Sequence, residues 1–131
     1  MNTLKGLNTW HNFVKNKNHE NLSNFIDDNA VLYSPVVFKP IKGGFMVGMY
    51  LMAAAEIIGN SSFKYVREIC DSENAILEFK TEINGITVEG VDMLKFTKEG
   101  KLKEIKVMIR PLKAVNIVHQ KMGEYLEKMN S

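Results

Sequence analysis

The sequence has little cysteine, little proline and no long apolar run, and each shortage excludes a class of protein. A single cysteine, Cys70, permits neither an internal disulfide nor a cysteine-rich zinc cluster, so we expect folding in a reducing compartment, the cytoplasm. The most apolar run, Phe45 to Ile58, has 14 residues and includes a glutamate. A helix that crosses a membrane needs roughly 20 apolar residues, so this run predicts a helix buried in protein. We also expect no secretory signal, because no basic segment followed by an apolar one opens the chain.

Charge of one sign is also scarce. Seventeen Lys and Arg residues against fifteen Asp and Glu residues leave a formal net charge of +2. The lysines alternate with glutamates, which argues against a nucleic-acid partner. Lysines do dominate residues 95–106, and we interpret that stretch as a solvated hairpin. With 131 residues and 45% hydrophobic residues, the chain can bury one core, so we expect a single domain over residues 1–131.

Helical spacing of apolar residues predicts four helices. Thr3 is the expected cap of the first, and Asn18 the expected cap of the second, which we expect to end at residues 27–29. Gly43 and Gly44 precede the third helix, and Pro111 occupies the first turn of the fourth. The inward positions of the first helix are Leu4, Leu7, Trp10, Phe13 and Val14.

Alternating patterns predict the strands. A short strand runs from Ala30 to Tyr33, and another lies within Phe63 to Asp71. Two turn signals, Asn84-Gly85 and Glu99-Gly100, then divide the rest into antiparallel hairpins. The predicted fold class is therefore α+β, with helices packed on one face of an antiparallel sheet.

The two turns, taken as two-residue loops, sort the strand side chains onto two faces. The apolar face carries Leu77, Phe79, Leu94, Phe96, Ile105, Val107 and Ile109. The charged face carries Glu78, Lys80, Glu82, Glu89, Lys95, Lys106 and Arg110, together with Val91, Met93 and Met108.

Asp92 is the one acid on the apolar face. An ionised carboxylate is costly to bury without a partner. Asp92 either accepts a hydrogen bond from a core donor such as Tyr33 or the Trp10 indole, or it is a pocket acid whose pKa desolvation raises. A bulge that turns it to solvent is the third alternative.

Other reactive side chains lack a recognisable setting. His11, His19 and His119 have no spacing typical of metal ligands, and Cys70 and Ser34 lie in no nucleophile motif. No phosphate-binding loop or dinucleotide fingerprint occurs, so we expect neither a metal nor a cofactor. The methionines of the third helix, at 46, 49 and 52, indicate an adaptable core or a soft wall for a ligand.

Several short phrases follow one another in a characteristic order: Tyr33-Ser34-Pro35, Lys39-Pro40, Gly43-Gly44, Gly90-Val91-Asp92, Gly100 and Arg110-Pro111. With the order of elements, they resemble the nuclear transport factor 2-like superfamily, in its SnoaL-like branch of small bacterial proteins. The resemblance covers nearly the whole chain. It implies a cone-shaped fold in which a curved sheet wraps an apolar pocket that the helices close, and a homodimer formed through the outer sheet face.

Ketosteroid isomerases of this superfamily use a tyrosine on the first helix, an aspartate base after the first strand and an aspartic acid on a central strand. By position, these fall on Trp10, Ser34 and Asp92, so only the third is retained. Steroid isomerisation of the usual kind is therefore not expected. Polyketide cyclases of the SnoaL type also resemble this chain and use a pocket acid.

Three functions follow as hypotheses. The first is a protein that binds an apolar small molecule carrying a carbonyl or hydroxyl group. The second is an isomerase- or cyclase-like enzyme in which protonated Asp92 stabilises an enolate. The third is a dimeric interaction module with a vestigial pocket. For the first two, Asp92 is the candidate catalytic acid, and the expected pocket residues are Trp10, Phe13, Tyr33, Met49, Phe79, Asp92, Leu94 and Val107.

Overall fold

A curved six-stranded sheet covered by helices forms the framework of the molecule. The computed structural model describes residues 2–129, apart from the side chains of Asn2, His19 and Asn21. Its elements are α1 (Asn2–Asn16), α2 (His19–Phe25), β1 (Ile26–Tyr33), β2 (Ile41–Lys42), α3 (Gly44–Ile57), β3 (Lys64–Cys70), β4 (Asn74–Ile83), β5 (Ile86–Phe96), β6 (Leu102–Arg110) and α4 (Leu112–Met129). Within this range, none of the helices combines the length and the apolar character needed to cross a membrane.

The strand order in the sheet is β2-β1-β6-β5-β4-β3. The α+β fold class is confirmed, and so are both antiparallel hairpins. In the first hairpin, Ile83 pairs with Ile86 and Leu77 with Asp92. In the second, Asp92 pairs with Val107. One feature was not predicted from the sequence: β1 runs parallel to β6. After β1 and β2 the chain crosses through α3 to β3 at the opposite edge of the sheet, and then returns strand by strand until β6 lies beside β1.

The structure of the first forty residues differs from the prediction in three places. Helix α1 already includes Asn2, so Thr3 lies in its first turn, fully buried, instead of capping it, while Leu4 is exposed. Asn18 does cap α2, with its side chain accepting a hydrogen bond from the Glu20 N–H. However, α2 ends at Phe25, and residues 27–29 belong to β1. The backbone extends at Ile26 because its apolar side chain is buried in the sheet.

The Glu99-Gly100 turn is longer than a two-residue loop. Pairing follows the expected register as far as Lys95 with Glu104, and then shifts so that Phe96 pairs with Leu102. The loop is closed by hydrogen bonds to Thr97 from the backbone N–H groups of Gly100 and Lys101. The shift lies at the end of the hairpin, so the face assignment of the central residues is unaffected.

A second irregularity lies in β3, the edge strand. Tyr65 pairs with Phe79, but Arg67 pairs with Glu78, so Val66 is an extra residue that has no partner opposite it. Side chains alternate between faces along a strand, and an inserted residue reverses that alternation. Tyr65 consequently faces the interior with Phe79, whereas Arg67 lies on the outer face, where it forms an ion pair with Glu78.

The interior contains two apolar clusters. The larger joins α1, α2 and α3 to β1 and the nearer ends of the sheet strands, and includes Trp10 and Leu94. The smaller joins Phe79 and Val88 to Ala114 and Val118 of α4. Tyr65 and Val107 pack against both clusters, and these two residues therefore mark the boundary between them.

A close backbone approach at Gly90 gives the first test of this packing. A Cβ atom at Gly90 would lie 2.4 Å from the Phe79 ring and 2.7 Å from the Met108 carbonyl oxygen. The carbonyl oxygen belongs to the paired strand and cannot move freely. We therefore expect Gly90→Ala to lower the free energy of unfolding by about 1–3 kcal/mol, measured by urea denaturation.

Gly123 provides the control. It lies in α4, and a Cβ atom there would meet nothing within 4 Å. Gly123→Ala should therefore raise stability by about 0.5–1 kcal/mol, since alanine favours helix. Equal effects of the two substitutions would contradict the close approach at Gly90.

Candidate functional site

A chain of hydrogen bonds runs through the interior and ends at Asp92. The Trp10 indole Nε1–H donates to the Tyr65 hydroxyl oxygen over 2.9 Å. The Tyr65 hydroxyl in turn donates to Asp92 Oδ2 over 2.7 Å. Because an indole N–H can only donate, its bond leaves the tyrosine proton free for the carboxyl group. Trp10 thus helps to orient the Tyr65 hydroxyl, which directs its proton to Asp92 Oδ2.

Three different elements supply these three side chains. Trp10 lies on the buried face of α1, which is set by the helical spacing of its apolar residues. Tyr65 faces inward from β3 just before the extra residue Val66. Asp92 lies in the middle of β5, paired with Leu77 on one side and Val107 on the other.

Burial determines the ionisation of this site. Only 8% of Asp92 is exposed. Desolvation raises the pKa of Asp92 from 3.8 to about 7, and the hydrogen bond from Tyr65 counteracts part of the increase. Burial, followed by the charge of Asp92, raises the pKa of Tyr65 well above its usual value of 10.0. Asp92 therefore changes charge near neutral pH, while Tyr65 retains its proton.

A cavity borders the hydrogen-bonded chain. We call it the inner cavity; its volume is about 60 Å³, and Trp10, Tyr65 and Asp92 contribute to its wall. No other polar side chain of residues 2–129 lines it. The remaining residues of the wall are Phe13, Val14, Leu51, Ala54, Ala55, Ile58, Gly59, Phe63, Phe79, Ile105 and Val107.

A larger cavity adjoins the first. This outer cavity has a volume of about 210 Å³ and lies between α3, α4 and residues 34–37. It shares Leu51, Ala54, Ile58 and Val107 with the inner cavity. The two spaces are therefore separated only by apolar side chains, and together they approach the size of common ligand pockets.

Aromatic rings hold Tyr65 in place. The Phe63 ring meets it edge-on with 4.9 Å between centroids, and Phe63 also stacks on Phe79 at 5.4 Å. On the other side, the His11 ring lies edge-on at 5.5 Å. His11 Nε2 is 2.6 Å from a carboxylate oxygen of Glu68, so this histidine has a specific partner instead of being merely solvated.

The other histidines do not join this cluster. His119 is exposed and lines the outer cavity. The side chain of His19 lies outside the described residues. Ser34 also borders the outer cavity, but its hydroxyl oxygen accepts the Val36 N–H over 3.1 Å and so closes a local turn.

The structure brings together five of the eight expected pocket residues. The inner cavity is lined by Trp10, Phe13, Phe79, Asp92 and Val107. Tyr33, Met49 and Leu94 do not line it. The Tyr33 ring lies 5.0 Å from Nζ of Lys106, a residue of the charged face, and Leu94 is packed in the larger apolar cluster. Met49 is half-buried on α3 away from both cavities.

Tyr65, the direct donor to Asp92, was not predicted from the sequence. Tyr33 or the Trp10 indole was expected in that role, and the face of β3 that lines the pocket was left open. Tyr65 and Arg67 share one parity in the sequence, and only the extra residue Val66 separates them onto opposite faces. The alternation of hydrophobic residues alone does not reveal such a bulge.

The arrangement can donate or accept a single hydrogen bond at the cavity. When Asp92 is protonated, its hydroxyl can donate to a carbonyl oxygen, and when ionised it can accept from a hydroxyl group. Among those of residues 2–129 that line the inner cavity, Asp92 is the one group that changes charge near neutral pH. A second acid or base would therefore have to come from a bound molecule.

Proteins similar to this chain are found among solved structures. No protein-family model and no curated protein matches the sequence. Among solved structures, the chain is similar to a steroid delta-isomerase from Pseudomonas aeruginosa, with a TM-score of 0.91 and 26% identity over 98% of this chain and 93% of that one. It is also similar to an NTF2-like protein of unknown function from Mesorhizobium loti, with a TM-score of 0.72 and 14% identity over 84% and 92% of the two chains.

A third similar structure is the epoxide hydrolase/cyclase-like enzyme SalBIII, which has a role in pyran ring formation in the polyether salinomycin. Its TM-score is 0.66, with 16% identity over 84% of this chain and 95% of that one. Of these three structures, one is thus described as a steroid delta-isomerase, one as an epoxide hydrolase/cyclase-like enzyme and one as a protein of unknown function.

The raised pKa of Asp92 leads us to expect that the stability of the protein depends on pH. Folded protein retains on Asp92 a proton that the unfolded chain releases above pH 4, so this residue lowers stability as pH rises from about 4 to 7. The loss amounts to about 4 kcal/mol of unfolding free energy by pH 8. In Asp92→Asn this loss should be absent, because the amide does not titrate while its oxygen still accepts from Tyr65.

The measurement is urea denaturation of both proteins between pH 4 and 8, and the informative quantity is the difference between them. Other carboxylates titrate equally in both proteins and therefore cancel. Parallel pH profiles for the two proteins would show that Asp92 is ionised throughout this range.

Proposed function

We propose that this chain, a member of the nuclear transport factor 2-like superfamily in its SnoaL-like branch, binds an apolar small molecule through a carbonyl or hydroxyl group at Asp92. One observation carries the proposal: the hydrogen-bonded chain from Trp10 through Tyr65 ends at a buried carboxyl group that borders an apolar cavity. Burying an acid costs free energy, and a ligand oxygen would offset that cost by supplying the partner that Asp92 lacks on its cavity side.

Binding would be directional. Oδ2 of Asp92 already accepts the Tyr65 proton, so the other oxygen is the one available to a ligand. A ligand carbonyl would be favoured below the pKa of about 7, and a hydroxyl group above it. The apolar body of the ligand would then occupy the inner and outer cavities, where it is removed from water.

An isomerase- or cyclase-like enzyme is the second candidate. The similarity to the steroid delta-isomerase and to SalBIII favours it, and a protonated Asp92 could stabilise a developing enolate. By the resemblance in sequence, Trp10 and Ser34 fall at the positions at which ketosteroid isomerases carry a tyrosine and a base. Ser34 is engaged in a local turn, so a proton-transfer step would need a base on the substrate or a water molecule.

The ligand-binding proposal is tested with a thermal-shift screen of apolar ketones and hydroxy compounds, including naphthols, bicyclic enones and steroid ketones. A ligand at 100 times its dissociation constant should add about 2.7 kcal/mol to stability, a shift of several degrees. Asp92→Asn and Tyr65→Phe should weaken the hits about tenfold or more, because each removes part of the hydrogen-bonded site.

Asp28→Asn is the matched control, since Asp28 is exposed on β1 and borders neither cavity. Hits that bind Asp92→Asn as tightly as the unaltered protein would overturn the assignment of the site. Incubation of the protein with a steroid ketone of the β,γ-unsaturated type, followed at the absorbance of the conjugated α,β-unsaturated product, then separates catalysis from binding.

A homodimer through the outer sheet face is a further part of the proposal. A groove of about 620 Å³ crosses this face, lined by Arg67, Ile69, Ile76, Glu78, Glu89, Gly90, Val91, Met108, Ile109 and Arg110. Ile69 and Met108 are 61% and 50% exposed. Arg67–Glu78 and Arg110–Glu89 ion pairs flank these apolar residues, so the face carries both signs of charge and can complement a second copy of itself.

We therefore expect the protein to sediment as a dimer, and Met108→Lys to sediment as a monomer, because a buried lysine without a partner opposes association. Met46→Lys, at an equally exposed methionine on α3, should leave the dimer intact. Monomeric unaltered protein at micromolar concentration would contradict this assignment while leaving the pocket proposal untouched.

A further inference from the structure

The inner cavity also borders a cleft at the surface, and this cleft differs from the two cavities because lysines line it. We call this cleft the basic mouth. It has a volume of about 450 Å³ and is lined by Val14, Lys15, Lys17, Gly59, Asn60, Ser61 and Phe63. Three of these residues, Val14, Gly59 and Phe63, also line the inner cavity. The inner cavity thus adjoins an apolar space between α3 and α4 and a basic one between the ends of α1 and α3.

Two lysines without an ion-pair partner line the basic mouth. Among residues 2–129, no acidic side chain lines it, and neither Lys15 nor Lys17 forms an ion pair. Other surface lysines, such as Lys80 and Lys103, also lack such a partner, and what sets Lys15 and Lys17 apart is their position at a cleft that shares wall residues with the inner cavity. Lysines left without a partner beside a cavity can attract an anion from solution.

The backbone gives the second lysine a defined position. Lys17 has a φ of 52° and donates its N–H to the Phe13 carbonyl over 2.7 Å, which ends α1 in the left-handed conformation. Phe13 itself lines the inner cavity. The hydrogen bond therefore ties the backbone of Lys17 to a residue of the cavity wall.

The cleft has two neutral polar side chains, Asn60 and Ser61, and that of Asn60 is committed to the fold. The Asn60 amide donates to the Ile57 and Glu82 carbonyl oxygens. Its oxygen accepts hydrogen bonds from Ser62 and Thr81. Charge attraction by the two lysines is then the main means of recognition. The C-terminal end of α1 also lies here, and its negative dipole end opposes a bound anion, so the two lysines must outweigh it. This opposition is smaller for a singly charged carboxylate than for a phosphate dianion.

We infer that the ligand of this pocket is an apolar acid, whose carboxylate occupies the basic mouth while its carbonyl or hydroxyl group meets Asp92. The inference rests on the proposed function, since it assigns the substrate class of the same pocket. The apolar body of the ligand occupies the inner cavity between the two polar ends and extends into the outer cavity. A carboxylate at the mouth remains partly hydrated, so its binding needs no buried counter-charge.

The test compares 6-hydroxy-2-naphthoate with its methyl ester, which have the same rings and hydroxyl group but differ in charge. Trp10 is the only tryptophan of the chain and lines the inner cavity, so quenching of its fluorescence reports occupancy of that cavity. We expect the carboxylate to bind about three- to tenfold more tightly than the ester at low salt. That advantage should shrink at 0.5 M salt, because the lysines are accessible to screening ions.

The double variant Lys15→Gln/Lys17→Asn should bind both probes equally, with unchanged affinity for the ester. Asparagine is chosen for position 17 because it tolerates the left-handed conformation. Lys101→Gln/Lys103→Gln removes the same charge at residues that line neither cavity nor the basic mouth, and it should retain the preference for the carboxylate. A preference that survives in the Lys15/Lys17 variant would overturn the inference.

Two different results would distinguish failure of this inference from failure of the proposed function. Equal binding of both probes to the unaltered protein, still weakened by Asp92→Asn, overturns the acid assignment alone. Absence of Trp10 quenching by both probes, together with no hit in the thermal-shift screen, overturns both.

Discussion

The rest of the site depends on one constraint, the burial of a carboxyl group on the apolar face of a sheet. Asp92 lies between Leu77 and Val107, where an apolar side chain would pack without cost. Retaining an acid there requires a donor, and Tyr65 supplies it from a neighbouring part of the sheet. Tyr65 in turn needs a donor to orient its own proton, which is the role of Trp10 on α1. A buried acid thus links a helix, an edge strand and a central strand.

Under the proposed function, the hydrogen-bonded chain would also make this apolar cavity selective. A wholly apolar cavity binds any small apolar molecule of suitable size, because burial of area has no direction. A single oriented carboxyl group changes this, since an unsatisfied partner costs more than a satisfied one contributes. The aromatic rings of Phe63 and Phe79 fix the position of Tyr65, so the selectivity does not depend on a mobile loop.

Local patterns predicted the central part of the fold well. The Asn84-Gly85 dipeptide set the register of β4 against β5, and alternation then assigned Asp92 to the buried face. The parallel pairing of β1 with β6 is a contact between distant parts of the chain, and no local pattern encodes it. Tyr65 escaped prediction because Val66 reverses the alternation of β3. Met49 was expected on a ligand-facing wall, but helical spacing does not say which side of an apolar helix meets a cavity.

The extra residue in β3 carries a wider consequence for how such proteins diversify. Because β3 is an edge strand, a change of one residue in its length disturbs a single neighbour and leaves the central strands intact. Such a change exchanges which side chains the strand presents to the interior and which it presents to solvent. Insertion and deletion at this edge therefore offer a route by which one scaffold could replace the polar partner of its buried acid, and with it the ligand it selects, without rebuilding the core.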